Sequence, residues 1–246
     1  MTKPLASRIA LVTGASRGIG HATARALARA GAHVIAVART QGGLEELDDE
    51  IRSEGGSATL VPLDVTDYDG VARLGAALNE RHGKVDILIG NAGVAGPSSP
   101  LGHIDLKPWM DAIGVNLTAN FQLIRCMEPP LIHSDAGRAV FITSGTASKA
   151  SAYRGPYAAS KAGLEALARV WAHETATSEI RVNLFNPGPI RTKMRASLMP
   201  GEDPMSLDTP EQVAEAIVPL CLADWQETGK IYDYKARRAM NFHPPS

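Results

Sequence analysis

Short apolar runs alternate along this chain with longer stretches in which apolar residues recur at helical spacing. The runs lie at residues 9–12, 34–37, 59–61, 85–89, 139–142 and 180–185. They are nearly continuously hydrophobic, without the in–out alternation of a strand that has one wet face, and that suits strands buried on both faces of a parallel sheet. Between them, residues 21–30, 43–54 and 69–82 read as amphipathic helices. Each is followed by a glycine, Gly31, Gly55 or Gly83, the residue best able to take the left-handed conformation that closes a helix. Two more helices are expected, one over 109–128 that is stopped by Pro129-Pro130, and one over 157–177. The strand–helix–strand rhythm predicts a doubly wound sheet with right-handed crossovers. No linker or low-complexity tract interrupts it, so residues 1–246 are read as one domain.

Composition narrows the function more than the fold. The chain has 246 residues, 44% hydrophobic and 21% charged, with a formal net charge of −1. A chain of this size can bury roughly 70–75% of its extended surface, ample for a core. The balanced charge argues against nucleic acid as a partner, because such binders carry a basic patch or stripe, and Arg237-Arg238 is only a pair. Cys126 and Cys221 are far apart, and the histidines show no metal-ligand spacing, so no metal site is proposed. No run of about 18 apolar residues occurs and no apolar leader precedes Arg8. A soluble, cytoplasmic protein with reduced cysteines and no membrane partner is expected.

Two local patterns carry chemistry. Directly after the first strand comes Thr13-Gly14-Ala15-Ser16-Arg17-Gly18-Ile19-Gly20, opening a helix. Glycines there let the backbone turn sharply and approach a pyrophosphate, while the helix N-terminus offers free N–H groups and the positive end of its dipole. The spacing is GxxxGxG, not the commoner GxGxxG, and by itself it would be a weak signal. Nicotinamide sites specific for NAD place an acid at the end of the second strand for the adenosine ribose. Here Ala38-Arg39 stands there instead, and Arg39 and Arg17 could meet a 2′-phosphate, so NADP (NADPH) is expected in preference to NAD. The second pattern is Tyr157 and Lys161, one helical turn apart on a common face. A phenol of pKa about 10 is a poor acid–base group at neutral pH, and a neighbouring ammonium together with a positive nicotinamide is expected to lower it.

With these pieces assembled, the chain resembles the short-chain dehydrogenase/reductase family. The matching residues, in family order, are Thr13–Gly20, Asp64-Val65, Asn91-Ala92-Gly93, Asn116, Ser144, Tyr157 with Lys161, and Pro187-Gly188 with Thr192. Ser144 lies thirteen and Asn116 forty-one residues before Tyr157, as in the family. The resemblance implies an α/β, three-layer doubly wound Rossmann-type fold whose mostly parallel sheet has about seven strands. It implies that Gly14, Ser16, Arg17, Gly18, Ile19, Gly20, Arg39, Asp64, Val65, Asn91, Ala92 and Gly93 hold the adenosine and pyrophosphate end of the cofactor. Pro187, Gly188, Ile190 and Thr192 would meet the nicotinamide. Tyr157 would be the acid–base group, Ser144 would hold the substrate oxygen, and Lys161 would bind the nicotinamide ribose. Asn116 would help hold a water linking Lys161 to solvent. The implied reaction is interconversion of a small-molecule carbonyl and a secondary alcohol. A sugar-nucleotide epimerase or dehydratase, or a catalytically silent NADP-binding regulatory protein, would share parts of this pattern.

Departures from the family also shape expectations. Gly90 stands where many relatives have a second asparagine, and Gly145 after Ser144 should loosen that loop. Asp64 could alternatively cap the helix that begins near Asp67. Residues 190–208, with Met194, Leu198, Met199 and Met205, fall where relatives carry a substrate lid, and Leu101, His103 and Tyr153 are candidate pocket residues. The tail at 235–246 has no evident partner in the sequence. Phe121, Leu123, Ile124, Leu164, Leu167 and Val170 place apolar side chains on more than one face of their helices, and the family implies a homotetramer or homodimer through such helices.

Overall fold

The computed structural model describes residues 3–242. Its strands are β1 (Ile9–Thr13), β2 (His33–Ala38), β3 (Ser57–Pro62), β4 (Ile87–Gly90), β5 (Arg138–Ile142), β6 (Arg181–Asn186), β7 (Ile231–Asp233) and β8 (Arg238–Met240). They form one sheet in the order β3-β2-β1-β4-β5-β6-β7-β8, parallel throughout except for the β7–β8 pair. The helices are α1 (Gly18–Arg29), α2 (Gln41–Ser53), α3 (Tyr68–His82), α4 (Leu106–Ile113), α5 (Ala119–Ile132), α6 (Thr146–Lys149), α7 (Gly155–Glu174), α8 (Lys193–Leu198) and α9 (Pro210–Ile217). The winding reverses between β3 and β4, so a crevice opens beyond the carboxyl ends of β1 and β4.

The unbroken hydrophobicity of the strands has its expected cause. In β1, Ala10 and Val12 enter one core layer with Leu27 of α1, Leu44 and Leu47 of α2 and Ile217 of α9. Leu11, between them, enters the opposite layer with Val71 of α3, Leu123 and Met127 of α5, and Leu164 and Trp171 of α7. Every β1 residue from Ala10 to Val12 is fully buried, which leaves no place for a polar alternate residue. The expected helix ends also stand: Gly31, Gly55 and Gly83 have φ of 109°, 74° and 71°. Each predicted helix nevertheless starts one to three residues earlier than its apolar pattern, because capping and turn residues carry no periodicity.

Three expectations need correction. The helix expected over 109–128 is instead α4, a π-helical turn at Gly114–Thr118, and α5, which continues through both prolines to Ile132. Pro129 and Pro130 lie in its last turn, where the helix continues although each lacks the N–H that would bond the carbonyl four residues back. The Pro130 carbonyl is instead satisfied by the Val85 N–H at 3.0 Å. The tail, expected to have no partner, folds back, and Arg238–Met240 pairs with β7 as an eighth strand of the mostly parallel sheet. Phe242 lies beneath the Arg169 guanidinium, 4.5 Å from ring centroid to carbon. Of the expected tail, residues 243–246 lie outside the described residues. Finally, Leu123, Ile124 and Leu164 belong to the core, whereas Phe121 and Val170 are 45% and 54% exposed.

One buried charge ties the amino-terminal edge of the sheet together. Asp86, completely buried just before β4, accepts from Arg8 Nη1 (3.0 Å), Lys84 Nζ (3.0 Å), Ser134 Oγ (2.6 Å) and the Ile9 N–H (2.9 Å). Burial alone would raise its pKa, but the donors from Ser134, Ile9 and Lys84 outweigh burial and hold the carboxyl below its usual range. Asp86→Ala should cost about 3–5 kcal/mol, since it strands a half-buried cation network. Because the folded pKa is depressed, this contribution is complete above the unfolded value of about 4 and is lost as pH falls through the folded one. Urea unfolding at pH 7 and pH 3 checks this: the wild-type and variant midpoints should differ widely at the first pH and converge at the second.

Candidate active site

The glycine turn is shaped by contacts that leave no room for side chains. Gly14 and Gly18 have φ of 66° and 60°. A Cβ on Gly14 would lie 2.8 Å from Asn91 Nδ2, and one on Gly20 would collide with that same amide and with the Gly14 carbonyl. Asn91 is held there by bonds from Nδ2 to the Thr13 and Gly14 carbonyls (2.8 and 3.3 Å). Thr13 Oγ1 in turn accepts from the Asn91 and Ala92 N–H groups (3.0 and 3.1 Å). The helix that follows has no side-chain cap at its N-terminus and no acid in its first turn. Its free N–H groups therefore face the crevice unopposed, the arrangement that suits a pyrophosphate.

Around this turn stand the other expected adenosine-side residues. Ser16 is half-buried against Gly43, Arg17 is exposed in extended backbone before α1, and Ile19 packs against the core. Arg39, 63% exposed, points Nη1 toward Asp64 Oδ2 at 3.6 Å. Asp64 is not the helix cap. Asp67 takes that place by accepting from the Gly70 N–H at 2.9 Å, while Asp64 accepts from the N–H and hydroxyl of Thr66. Partial burial opposes ionisation of Asp64, but the Thr66 bonds and Arg39 prevail and lower its pKa. Val65 is buried beneath.

The Tyr157–Lys161 pair lies on α7, opposite the end of β5. Lys161 is 3% exposed and donates from Nζ to the Ile142 carbonyl at 2.6 Å. Burial pushes its pKa down to about 8, with Glu165 pulling the other way. The ammonium lies 5.9 Å from the Tyr157 ring centroid. In the chain alone burial raises the phenol pKa, and the Ser144 hydroxyl and Arg154 only moderate it. Ser144 Oγ accepts from the Thr146 N–H and donates to Thr146 Oγ1, both at 3.2 Å.

Gly93 shows how tightly the parts meet, since a Cβ there would lie 3.3 Å from Asn116 Oδ1 and 3.8 Å from Lys161 Nζ. Asn116 is fully buried within the π-helical turn, a local irregularity common at functional sites. Its side chain accepts from the Val94 N–H and donates to the Val94 carbonyl and Ser160 Oγ, each at 2.9 Å. Pro187 and Ile190 are buried beyond β6, and Gly188 turns the chain with φ 71°. Thr192 caps α8 by accepting from the Arg195 N–H, and its methyl would touch a Cβ on Gly18 at 3.5 Å. The segment after β6 thus reaches back over the glycine turn.

Several residues of the site were not singled out in the sequence. Asn186 accepts from the N–H groups of Gly145 and Gly188 (3.0 and 3.2 Å) and donates to Asp233 (3.0 Å), joining three loops. Its place at a strand end before Pro187-Gly188 was the available signal. Arg154 donates to the Leu198 carbonyl at 3.3 Å and so links α7 to α8. Gly145 has an ordinary φ of −55° and a Cβ would have room there, so neither backbone geometry nor packing requires a glycine at this position. Leu101, Tyr153, Met199 and Met205 are 65%, 59%, 42% and 74% exposed. A cavity of about 280 Å³ lies within the segment after β6, bounded by Thr192, Arg195, Met199, Glu202 and Leu207, with neither Tyr157 nor Lys161 in its wall.

These features define the class, and comparison with known proteins agrees. The family model for short chain dehydrogenase matches residues 8–203. The oxidoreductase YciK of Escherichia coli K12 is 35% identical over 238 residues, covering 95% of this chain and 94% of that protein. The cis-4-hydroxycyclohexanecarboxylate dehydrogenase of Sinomonas cyclohexanicum is 37% identical, covering 88% and 90%. A short-chain dehydrogenase from Shigella flexneri solved with NADP superposes with a TM-score of 0.91 at 34% identity, covering 96% of this chain and 100% of that one. One from Escherichia coli CFT073 solved with NADPH gives 0.86 at 35%, covering 95% and 98%. The chain belongs to the short-chain dehydrogenase/reductase family, and it is an oxidoreductase of the CH–OH/C=O type.

Gly90 marks where this chain solves a packing problem in its own way. A Cβ there would collide with the Phe141 ring and lie 2.5 Å from Asn120 Oδ1, so Phe141 and the Asn120 amide fill the space that a side chain would need. Gly90→Ala should therefore destabilise the protein by about 1–3 kcal/mol through overpacking. A thermal melt of the variant that matched wild type would contradict this packing.

Proposed function

We propose that this protein is an NADP(H)-dependent oxidoreductase that interconverts a carbonyl and a secondary alcohol, with Tyr157 as its acid–base group. The observation that carries the reading is the meeting of an uncapped glycine turn, a buried Lys161 ammonium and the Tyr157 phenol at the carboxyl ends of β1, β4 and β5. The cofactor, when bound, supplies or accepts the hydride, and its oxidised ring brings a positive charge. In reduction, Tyr157 gives its proton to the substrate oxygen while Ser144 donates a hydrogen bond to the charge developing there. In oxidation, Tyr157 takes the alcohol proton back. Lys161 holds the nicotinamide ribose and keeps a positive charge beside the phenol. Burial raises the phenol pKa, so release of its proton depends on those two positive charges.

Residues 190–208 form the substrate lid in this reading, and residues 1–246 act as one domain. The exposed Leu101, Tyr153, Met199 and Met205 suit a substrate with an apolar body. Exposed Phe121 and Val170 on α5 and α7 favour a homodimer or homotetramer closed through those helices. Among the described residues no helix is long and apolar enough to cross a membrane, and burial pushes the Cys221 thiol up to about 12, as suits an unreactive thiol in a reducing cytoplasm.

Cofactor choice follows from Arg39 and Arg17, with two solved relatives holding NADP or NADPH in support. NADPH should bind at least about tenfold more tightly than NADH, the worth of roughly 1.4 kcal/mol from one charge-assisted contact. Arg39→Asp should reverse the order, and fluorescence titration with both cofactors measures it.

Tyr157→Phe keeps the ring and its packing but removes the transferable proton. Turnover should fall by roughly 10²–10⁴-fold, the usual worth of positioned proton transfer, with NADPH affinity nearly unchanged. Lys161→Ala should weaken both. Assay of the two variants against a carbonyl and alcohol panel decides the assignment, and near wild-type turnover by Tyr157→Phe would overthrow it.

A further inference from the structure

Thr143 sits between the two groups that β5 contributes to the site. On one side is Ile142, whose carbonyl holds Lys161 Nζ, and on the other is Ser144. Thr143 is 1% exposed, donates its N–H to the Phe185 carbonyl at 2.8 Å, and donates its hydroxyl to Glu165 Oε1 at 2.7 Å. Glu165 is itself 9% exposed and stands one helical turn after Lys161 on α7. Lysine and glutamate therefore share a face of the helix, and both side chains reach consecutive residues of the same strand end. A buried carboxylate costs free energy that an apolar residue at this position would not. Its neighbours offset part of that cost, and burial still raises the carboxyl's pKa, so the ionised form depends on them. Around Glu165 these are Lys161 and Arg169 from α7 and the Thr143 hydroxyl from β5. Around Lys161 they are Glu165 and Tyr157 from α7 and the Ile142 carbonyl from β5, with Arg154 acting on Tyr157 from the start of α7.

We propose that Glu165, held by Thr143, is a positioning residue for the Lys161–Tyr157 pair: its carboxylate keeps Lys161 charged inside the protein and locks the end of β5 that carries the Lys161 acceptor and Ser144. The proposal rests on reading Lys161 and Tyr157 as the reacting pair. Among charged groups, Glu165 is the one that opposes the effect of burial on Lys161, which agrees with the geometry.

The test reads Lys161 directly. Lysine Nζ is labelled with ¹⁵N in the full chain and titrated by NMR, the Lys161 resonance being the one absent from Lys161→Arg. In wild type the midpoint should lie near 8. In Glu165→Gln, which preserves shape and an acceptor for Thr143, it should fall by about 1–2 units, the effect of deleting one charge roughly 6–12 Å away at an effective dielectric of about 20. Thr143→Val removes the bond that favours the ionised carboxylate, so it should shift the midpoint the same way by a smaller amount, and it serves if Glu165→Gln does not fold. An unmoved Lys161 midpoint in either folded variant, whatever its melting temperature, overturns the proposal, because a purely structural glutamate would change stability alone. The titration needs neither substrate nor turnover. It can fail while Tyr157 remains the acid–base group, and Tyr157→Phe can retain turnover while the titration succeeds, so the two readings fall separately.

Discussion

The carboxyl end of the sheet depends on how β1 and β4 are joined. Their neighbouring loops diverge at the point where the winding reverses, which opens the crevice but also leaves the two strand ends without helical support. Thr13 and Asn91 close that gap with two mutual hydrogen bonds, joined by one from Asn91 to the Gly14 carbonyl and one from the Ala92 N–H to Thr13. An asparagine suits this task because one short side chain carries both donors and an acceptor. The same device recurs outward: Asn116 links the loop following β4 to α7 through Val94 and Ser160, and Asn186 links the loops after β5 and β6 to β7. Three amides thus set the distances among loops that belong to five strands. Without them the phosphate cradle, the Lys161 ammonium and the Ser144 hydroxyl would each be anchored only to its own element.

What could be read from the sequence follows from which interactions are local. The six expected strands, buried except for the partly exposed edge strand β3, and the helix ends at Gly31, Gly55 and Gly83 were legible, because burial and a left-handed backbone both demand particular residue types at particular places. The end of α5 was not. A double proline reads as a stop, yet here it falls in a final turn whose carbonyl is taken by Val85, a residue 45 positions away in the chain. The eighth strand escaped for a similar reason. Arg238–Met240 has no strand-like pattern of its own and pairs only because β7 presents an edge.

The expected site residues fared differently by kind. Backbone-shaped positions such as Gly14, Gly20 and Gly93 are explained by neighbours that a Cβ would strike, and those neighbours are themselves motif residues, Asn91, Asn116 and Lys161. Motif spacing therefore encodes contact. Of the residues that hold the motif in place, Asn186 is marked only by its strand-end position before Pro187-Gly188, and Thr143 and Glu165 carry no signature, since any residue able to bridge two elements could stand there. Asp64 illustrates the middle case: its place near the cofactor crevice was foreseen, but its capping role belongs to Asp67, three residues on, and only the bond to Gly70 distinguishes them.

The direction of the Tyr157 shift reveals more about the chemistry than the motif does. From the sequence, a lysine one turn away promised a more acidic phenol. In the folded chain, burial acts on both groups, raising Tyr157 and lowering Lys161, and each is moved toward its neutral form. Two such groups within reach of each other do not titrate independently, because discharge of the lysine would remove the charge that favours the phenolate. A positive ligand that also excludes water would press on them in opposite senses, helping the tyrosine to ionise and the lysine to lose its proton. The site can exploit the first effect only if the second is resisted. The Ile142 carbonyl, at 2.6 Å from Nζ, and the Glu165 carboxylate farther along the same helical face are the groups placed to resist it. The charge state of the pair therefore depends on the groups at the end of β5, behind the lysine, as well as on the spacing of the two residues.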